Sequence, residues 1–212
     1  FNSWLIIAAI FFLCLFLTHK MRKDNPSTKQ VIAEKLVEML YNLVEQTMGP
    51  NCLGFAPYIG TLFTFSIFGS LISLICLRPV TADVNTTLGW ALITFFMVQI
   101  NSIRKKKLGG YLKSFAEPVA VILPLNIISE FSNIISLTFR HFGNIIAGVV
   151  ITKLLYAALG ALSQLLLRIP IPILQVGLPA FLSLYFDLFT GFMQAFIFSM
   201  LTMVFISNAM EE

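Results

Sequence analysis

The sequence carries little charge for its length. Only 11% of its 212 residues are Asp, Glu, Lys or Arg, whereas 58% are hydrophobic and the mean hydropathy is +0.88. Because soluble domains usually carry about a quarter charged residues, this shortage argues against a soluble domain and indicates a membrane protein. The net charge of +4 is small and local. It indicates membrane topology and argues against nucleic acid as a partner.

Cysteine is also scarce, and recognisable catalytic motifs are missing. The three cysteines, Cys14, Cys52 and Cys76, lack the spacing of a zinc site or a disulfide framework. We interpret them as small apolar side chains. The sequence also lacks a Gly-rich phosphate loop, catalytic-triad spacing, a dinucleotide fingerprint and an internal repeat. We therefore expect no covalent chemistry, no catalytic residue, no metal site and no cofactor.

Apolar runs, by contrast, are long and numerous. The run WLIIAAIFFLCLFL predicts a first span over residues 1–19 and stops at His19-Lys20. A signal peptide is the rival interpretation, but the run lacks a preceding basic segment and a small-residue cleavage site after it. Two further apolar stretches, at residues 53–77 and 88–103, predict two more spans.

A segment with a different pattern lies between the first two spans. Ser27-x-x-Gln30, just after Pro26, matches a helix capping box. Over residues 27–48, apolar side chains recur at helical spacing, with Glu and Lys on the other faces. The apolar positions are Ile32, Leu36, Leu40, Leu43 and Val44. The pattern predicts an amphipathic helix in the membrane interface; the alternative is a helix packed on a soluble partner.

Basic clusters orient the predicted spans. Lys20, Arg22 and Lys23 follow the first span, and Arg104–Lys107 follows the third. Since two crossings separate these clusters, the positive-inside rule places both of them in the cytoplasm. The N-terminus and the polar connection at residues 78–87 are then predicted to lie outside.

The C-terminal half predicts two unusually long helices. As one helix, the apolar tract at residues 118–168 would extend about 75 Å, far beyond the ~30 Å hydrocarbon core. Because Gly143 and Gly148 carry no turn signal, we expect one long helix that is strongly tilted or bent. The proline-rich segment 168–179 predicts a turn. Residues 179–208 predict a second long helix that returns the C-terminus to the cytoplasm.

The predicted fold is therefore an all-α integral membrane protein with a single membrane domain over residues 1–212. It combines transmembrane helices with one interfacial amphipathic helix and a hairpin of two long, strongly tilted intramembrane helices. Two inclined helices of this length offer a broad surface within the membrane, which an upright helix does not.

Each long helix carries a stripe of polar and small residues at helical spacing. The first stripe comprises Ser136, Arg140, Asn144 and Gly148. The second comprises Asp187, Gly191 and Gln194, with Ser183 and Thr190 beside it. Ionisable groups within membrane helices are costly and almost always serve the passage of ions or substrates. The stripes therefore indicate transport.

A structural role is the alternative for several of these residues. Arg140 would then simply pair with Asp187 or Glu130 inside the bundle. Glu130 either lines a cytoplasmic vestibule or is only hydrated near the start of its helix. His141 lies roughly 100° around the helix from Arg140, off its face, and is predicted to be packed or facing water.

Three stretches of the sequence point to a known family. They are PVTADVNTTL at 79–88, SLTFRHFGNIIAG at 136–148 and QAFIFSMLTMVFIS at 194–207. Together they resemble subunit a of the F-type ATP synthase, also called ATPase subunit 6, and the resemblance covers essentially the whole chain. It implies a non-catalytic stator subunit with two aqueous half-channels beside a rotating c-subunit ring.

The resemblance also implies partners, a location and roles for individual residues. The partners are the c ring, the peripheral-stalk b subunits, the remainder of the ATP synthase and the lipid bilayer of a bacterial plasma membrane. The essential arginine of the family falls on Arg140, its asparagine one turn later on Asn144, and its glutamine on the last helix on Gln194. The translocated ion is a proton or a sodium ion.

The sequence departs from the family at one point. Val149 stands where relatives often have a glutamate, and Asp187 stands where they have a histidine. This makes Asp187 the leading acid of the outer half-channel. The other candidate lining residues are Ser136, Glu130, Thr190 and Gly148.

Two other functions stay open at this point. A secondary transporter or stand-alone ion channel would need a substrate site between repeats, and no repeat is visible. A purely structural anchor for a complex would leave both polar stripes unexplained.

Overall fold

The computed structural model describes residues 2–22, 26–75, 77–116, 120–167 and 178–211. Six α-helices joined by short 3-10 turns account for nearly all of this part of the chain, and it contains no strand. The helices are α1 Asn2–Thr18, α2 Thr28–Met48, α3 Ala56–Leu71, α4 Val84–Ala116, α5 Leu123–Leu167 and α6 Leu178–Glu211. The predicted all-α class is confirmed.

In the described part of the chain, four helical stretches are long and apolar enough to cross a membrane, judged by their length and composition. They are Pro50–Ile75, Val84–Lys107, Leu123–Leu165 and Asp187–Met210. Helix α1 is a shorter apolar helix, and much of its surface is exposed, including Trp4, Phe11 and Phe12. Exposed apolar surface on this scale requires hydrocarbon or a protein partner around it. The predicted integral membrane class is confirmed.

Helix α2 begins at a side-chain cap and packs its second half onto the bundle. The Ser27 hydroxyl accepts a hydrogen bond from the Gln30 backbone N–H at 3.4 Å, which satisfies one free donor of the first turn. Val44 and Met48 are buried against α3 and α6, whereas Ile32 is exposed. The apolar stripe of α2 therefore has two environments, the protein core at its end and an open surface at its start.

Helix α4 begins at Val84, inside the polar stretch 78–87 and four residues before the predicted start of the third span at residue 88. Asp83 makes this early start possible. Its carboxylate accepts the Asn85 backbone N–H at 3.0 Å, and its carbonyl accepts the Thr87 N–H at 3.3 Å. At its other end α4 continues past the predicted span 88–103, with a break at Lys107, where φ is 58°.

Helix α5 runs for 45 residues, from Leu123 to Leu167. This corresponds to about 68 Å at 1.5 Å per residue. Pro124 lies in its first turn, and Gly143 lies well inside it. The tilt of α5 relative to a membrane stays a prediction. Most of the predicted turn 168–179 lies outside the described residues, and its last two residues open α6.

Helix α6 is the central packing element of the bundle, in contact with α3, α4 and α5. Gly191 permits a close approach to α3, because a Cβ atom at this position would lie 2.9 Å from Ser70 Cβ. Further along α6, Ala195 and Phe198 are completely buried. The polar residues of α6 are therefore held in register with α3 and α5.

Candidate functional site

The stripe on α5 lies on the outer surface of the bundle. Arg140 is exposed near the middle of the span Leu123–Leu165, and its Nη2 donates to Ser136 Oγ at 3.4 Å. Within the described ranges, no carboxylate lies within the 4.0 Å limit of an ion pair with the guanidinium. The structural pairing of Arg140 with Asp187 or Glu130 is therefore not formed.

A direct hydrogen bond joins the two stripes. Asn144 Nδ2 donates to Gln194 Oε1 at 2.8 Å, linking α5 to α6 one turn beyond Arg140. Gln194 is only 3% exposed, so its amide is held by the bundle and presents its oxygen to Asn144. Gly148, another turn along, is partly buried, and the space beside its α-carbon is open.

A polar group, here called the Asp187 cluster, lies where the start of α6 meets the end of α3. It consists of Asp187, Ser70, Ser73 and Thr81. Asp187 is partly buried and has the Ser73 side chain close to its carboxyl group. The Ser73 hydroxyl donates to the Ser70 carbonyl at 2.9 Å. Ser70 Oγ and Thr81 Oγ1 are 3.2 Å apart and both residues are buried. Thr190 is partly buried on the next turn of α6.

A second polar region, here called the Glu130 cavity, lies between α4, α5 and α6 towards the other end of α6. It has a volume of about 280 Å³, and its polar lining residues are Thr94, Ser102, Glu130, Asn133 and Asn208. Glu130 Oε2 accepts a hydrogen bond from Gln99 Nε2 at 3.1 Å. A carboxylate, two amides and two hydroxyls can hold water or bind a cation through oxygen.

A tyrosine completes the hydrogen bonding of Gln99. The Tyr111 hydroxyl donates to Gln99 Oε1. Burial, followed by the negative charge of Glu130, raises the pKa of Tyr111. The hydroxyl therefore stays protonated near neutral pH and remains a donor, so that the amide of Gln99 is oriented with its N–H towards Glu130.

Aromatic rings pack on one another inside the bundle, between the two polar regions. His141 is fully buried, with its ring centroid 5.7 Å from that of Trp90 and 5.2 Å from that of Phe198, both edge to face. In the part of the chain that is described, neither ring nitrogen has a hydrogen-bond partner. His141 is thus packed, one of the two environments considered for it. Phe198 lies about midway along the ~31 Å of α6 that joins Asp187 to Asn208.

Three polar partners are not evident from the sequence: Ser73, Gln99 and Asn208. Ser73 lies in the turn after α3, whereas Asp187 lies on α6. Gln99 lies on α4 and Asn208 on α6, whereas Glu130 lies on α5. Spacing along one helix shows which residues share a face, but it does not show what faces them. The sequence offers only a weaker signal for such partners, which is a polar residue inside an apolar span. Gln99 within the predicted span 88–103 is an example.

Comparison with known proteins points to one family. The chain matches the ATP synthase A chain family over residues 1–207. ATP synthase subunit a 2 of Bradyrhizobium sp. is 34% identical over 98% of this chain and 86% of its own length. ATP synthase subunit a, sodium ion specific, of Propionigenium modestum is 33% identical over 100% of this chain and 76% of its own length. ATP synthase subunit a of Moorella thermoacetica is 31% identical over 98% of this chain and 88% of its own length.

The fold and the polar groups define a multi-pass helical membrane protein with ionisable and amide side chains inside its spans. The family match extends over nearly the whole chain. The chain belongs to the ATP synthase A chain family, which confirms the resemblance found in the sequence. It is a membrane subunit of the ATP synthase and takes part in ion transport.

Proposed function

We propose that the chain is the ion-conducting stator subunit of the ATP synthase membrane motor. Arg140 faces a rotating ring of c subunits. The Glu130 cavity belongs to a half-channel open to the cytoplasm, and the Asp187 cluster belongs to one open to the outside. Protons or sodium ions enter by one half-channel, travel on carboxylates of the ring and leave by the other.

The observation that carries this proposal is the exposed guanidinium of Arg140, which has no carboxylate partner within the described ranges. Its neighbours Ile135 and Phe139 are also exposed, as expected of a surface that meets hydrocarbon or another protein. A charged side chain in the middle of a membrane costs between about 2.5 and 17 kcal/mol. Since arginine does not lose its proton, the cost must be offset by an anion outside the chain. A carboxylate on a passing ring subunit supplies this anion.

The positive charge of Arg140 drives release of the ion. A ring carboxylate that leaves the lipid must be neutral, because a bare charge in hydrocarbon is too costly. Opposite Arg140 the ionised form is favoured, so the carboxylate gives up its ion to a half-channel. It then moves past and takes a new ion from the other half-channel. The membrane potential supplies about 2.3 kcal/mol per charge for each 100 mV.

The aromatic packing inside the bundle supports a route over its surface. Trp90, His141 and Phe198 pack edge to face between the two polar regions. This close packing favours transfer by way of the ring carboxylate over a path through the interior. The hydrogen bond between Asn144 and Gln194 steadies the helix turn next to Arg140.

The proposed location is the plasma membrane of a bacterium, with the N-terminus outside and the C-terminus in the cytoplasm. The relatives named above are bacterial, and the basic residues Arg104–Lys107 favour this orientation. Lys105 donates to the carbonyl of Met210, which keeps the end of α6 beside this basic block. The other partners are the peripheral-stalk b subunits and the remainder of the ATP synthase.

Replacement of Arg140 by alanine tests the proposal. In the assembled enzyme, Arg140→Ala is expected to abolish coupled ATP synthesis and ATP-driven ion uptake into vesicles, because ring carboxylates no longer release their ions. Lys153→Gln is the matched control, since it removes a positive charge from an exposed position of the same helix and should keep activity. An assembled Arg140→Ala enzyme that still couples would remove the proposal.

Two further measurements separate the remaining possibilities. Vesicles containing the purified chain without a c ring are expected to transport no ion; transport by the chain alone would favour a channel or secondary transporter. ATP-driven transport by the whole enzyme, measured with and without sodium, identifies the ion. Oxygen ligands and water are sufficient for sodium, whereas a proton relay needs a titratable group such as Asp187.

A further inference from the structure

A groove lies between the end of α1 and the start of α2, on elements other than those that carry the polar stripes. It has a volume of about 890 Å³ and is lined by two different sets of residues. The apolar wall comprises Phe12, Leu15 and Phe16. The polar rim comprises His19, Lys20, Arg22, Ser27 and Lys29. The wall belongs to the apolar helix α1, and the rim follows where that helix ends.

The rim is held in shape by a sharp turn and by one buried amide. Lys20 has a φ of 62°, a left-handed conformation that reverses the chain after α1. Gln30, only 7% exposed, accepts from the Arg22 backbone N–H at 2.9 Å and donates to the Arg22 carbonyl at 3.0 Å. It also donates to Glu34 at 2.7 Å. The groove is therefore formed before any ligand arrives.

The charged residues that line the groove, among those that the structure describes, are all basic. Among the described residues that line it there is no Asp or Glu to neutralise Lys20, Arg22 and Lys29. Lys29 Nζ lies 3.7 Å from the centroid of the Phe16 ring, a cation–π contact that places the ammonium group at the edge of the apolar wall. The N-terminus of α2, which opens on this rim, adds further partial positive charge.

We propose that this groove binds an anionic glycerophospholipid. The phosphate is held by Arg22 and Lys29, and an acyl chain lies along the wall formed by Phe12, Leu15 and Phe16. The apolar wall extends about 12 Å along α1 from Lys20, and the basic rim follows it. A phospholipid has the same order, with an apolar acyl chain followed by a charged headgroup. A free anion would use only the rim, and the apolar wall would serve no purpose. Basic residues at the membrane surface attract anionic lipid, with about a fivefold gain in affinity for each one.

Photo-crosslinking of the assembled ATP synthase in nanodiscs tests the proposal. The probe is phosphatidylglycerol with a photoreactive group on its acyl chain, and the comparison probe is phosphatidylcholine labelled in the same way. We expect labelling of the wall residues by phosphatidylglycerol to exceed that by phosphatidylcholine about tenfold or more. Unlabelled phosphatidylglycerol should compete, and inorganic phosphate should not.

Charge variants complete the test. Arg22→Gln with Lys29→Gln should lower labelling by phosphatidylglycerol about 30-fold, or to the level of phosphatidylcholine. Lys35→Gln is the matched control, because Lys35 is exposed on the same helix but does not line the groove; it should leave labelling unchanged. If the double variant does not assemble, Lys29→Gln alone should give about a fivefold loss.

Four results would overturn the proposal. Equal labelling by the two lipids would indicate only nonspecific apolar contact. Labelling that is unchanged in the charge variants would indicate the same. Competition by inorganic phosphate would indicate a site for a free anion. Labelling of the isolated chain but not of the assembled enzyme would show that a partner protein fills the groove.

Discussion

At the scale of single residues, the hydrogen bond between Asn144 and Gln194 joins the two long helices beside Arg140. Its length is 2.8 Å, and the acceptor side chain is almost completely buried. Loss of one partner from such a pair costs about 1–3 kcal/mol, because the other is left unsatisfied, whereas loss of both can be nearly neutral. The pair therefore contributes more to the placement of Arg140 than to overall stability.

Replacement of Gln194 tests this role. Gln194→Leu should lower ATP-driven ion transport about tenfold or more, since it leaves Asn144 without its partner and loosens the turn that carries Arg140. Asn144→Leu should have a similar effect. A double-mutant cycle measures the coupling, and the double variant should be no worse than either single one. Effects that simply add would mean that the two side chains act independently.

His141 is the second residue whose role can be tested. His141→Phe should keep the edge-to-face contacts with Trp90 and Phe198, and we expect normal assembly and transport. His141→Ala leaves a cavity and should destabilise the chain by about 3 kcal/mol, measured as lower thermal stability of the assembled enzyme. If His141→Phe assembles normally but loses transport, the imidazole takes part in ion transfer and the packing role is wrong.

At the scale of elements, the contact between α3 and α6 sets the position of the Asp187 cluster. Ser70 lies at the end of α3, Ser73 in the 3-10 turn that follows it, and Asp187 near the start of α6. Gly191 allows the backbones of α3 and α6 to approach. A larger residue at Gly191 would push the helices apart and separate Asp187 from Ser73. The cluster therefore depends on helix packing as much as on its own polar groups.

A methyl group at Gly191 tests this dependence. The Cβ of Gly191→Ala would lie 2.9 Å from Ser70 Cβ, so one helix must shift. We expect a destabilisation of about 1–3 kcal/mol and slower ion transport. Gly89→Ala, on α4, is the control, because a Cβ there meets nothing within 4 Å. Equal behaviour of the two variants in thermal unfolding and transport assays would contradict the close-contact argument.

At the scale of the whole molecule, the orientation in the membrane decides which polar region opens to which side. Two single-cysteine variants measure this orientation, Asn85→Cys and Gly109→Cys. Both positions are exposed, and the native cysteines are replaced by alanine in both variants. A membrane-impermeant thiol reagent added to intact cells should label Asn85→Cys only, because the positive-inside rule places Gly109, just after the basic block, in the cytoplasm. The reverse pattern would exchange the proposed roles of the Glu130 cavity and the Asp187 cluster.

The sequence by itself determined the class, the family and the residues of the polar stripes. Long apolar runs require a membrane, since water does not tolerate that much apolar surface, and spacing by four puts Ser136 and Arg140 on one face of a helix. These properties are local and depend only on the order of residues along the chain. The absence of a turn at Gly143 also follows from local signals, and α5 is indeed continuous through it.

The tertiary structure alone decided which groups meet. It left Arg140 on the outside with no carboxylate partner among the residues that the structure describes, joined Asn144 to Gln194, and brought Ser73 close to Asp187. In the folded chain α4 also begins at Val84, four residues before the predicted span 88–103. Contacts between helices depend on how the helices are rotated and spaced by packing, for example at Gly191. Because the partners are far apart along the chain, no local pattern of residues specifies them.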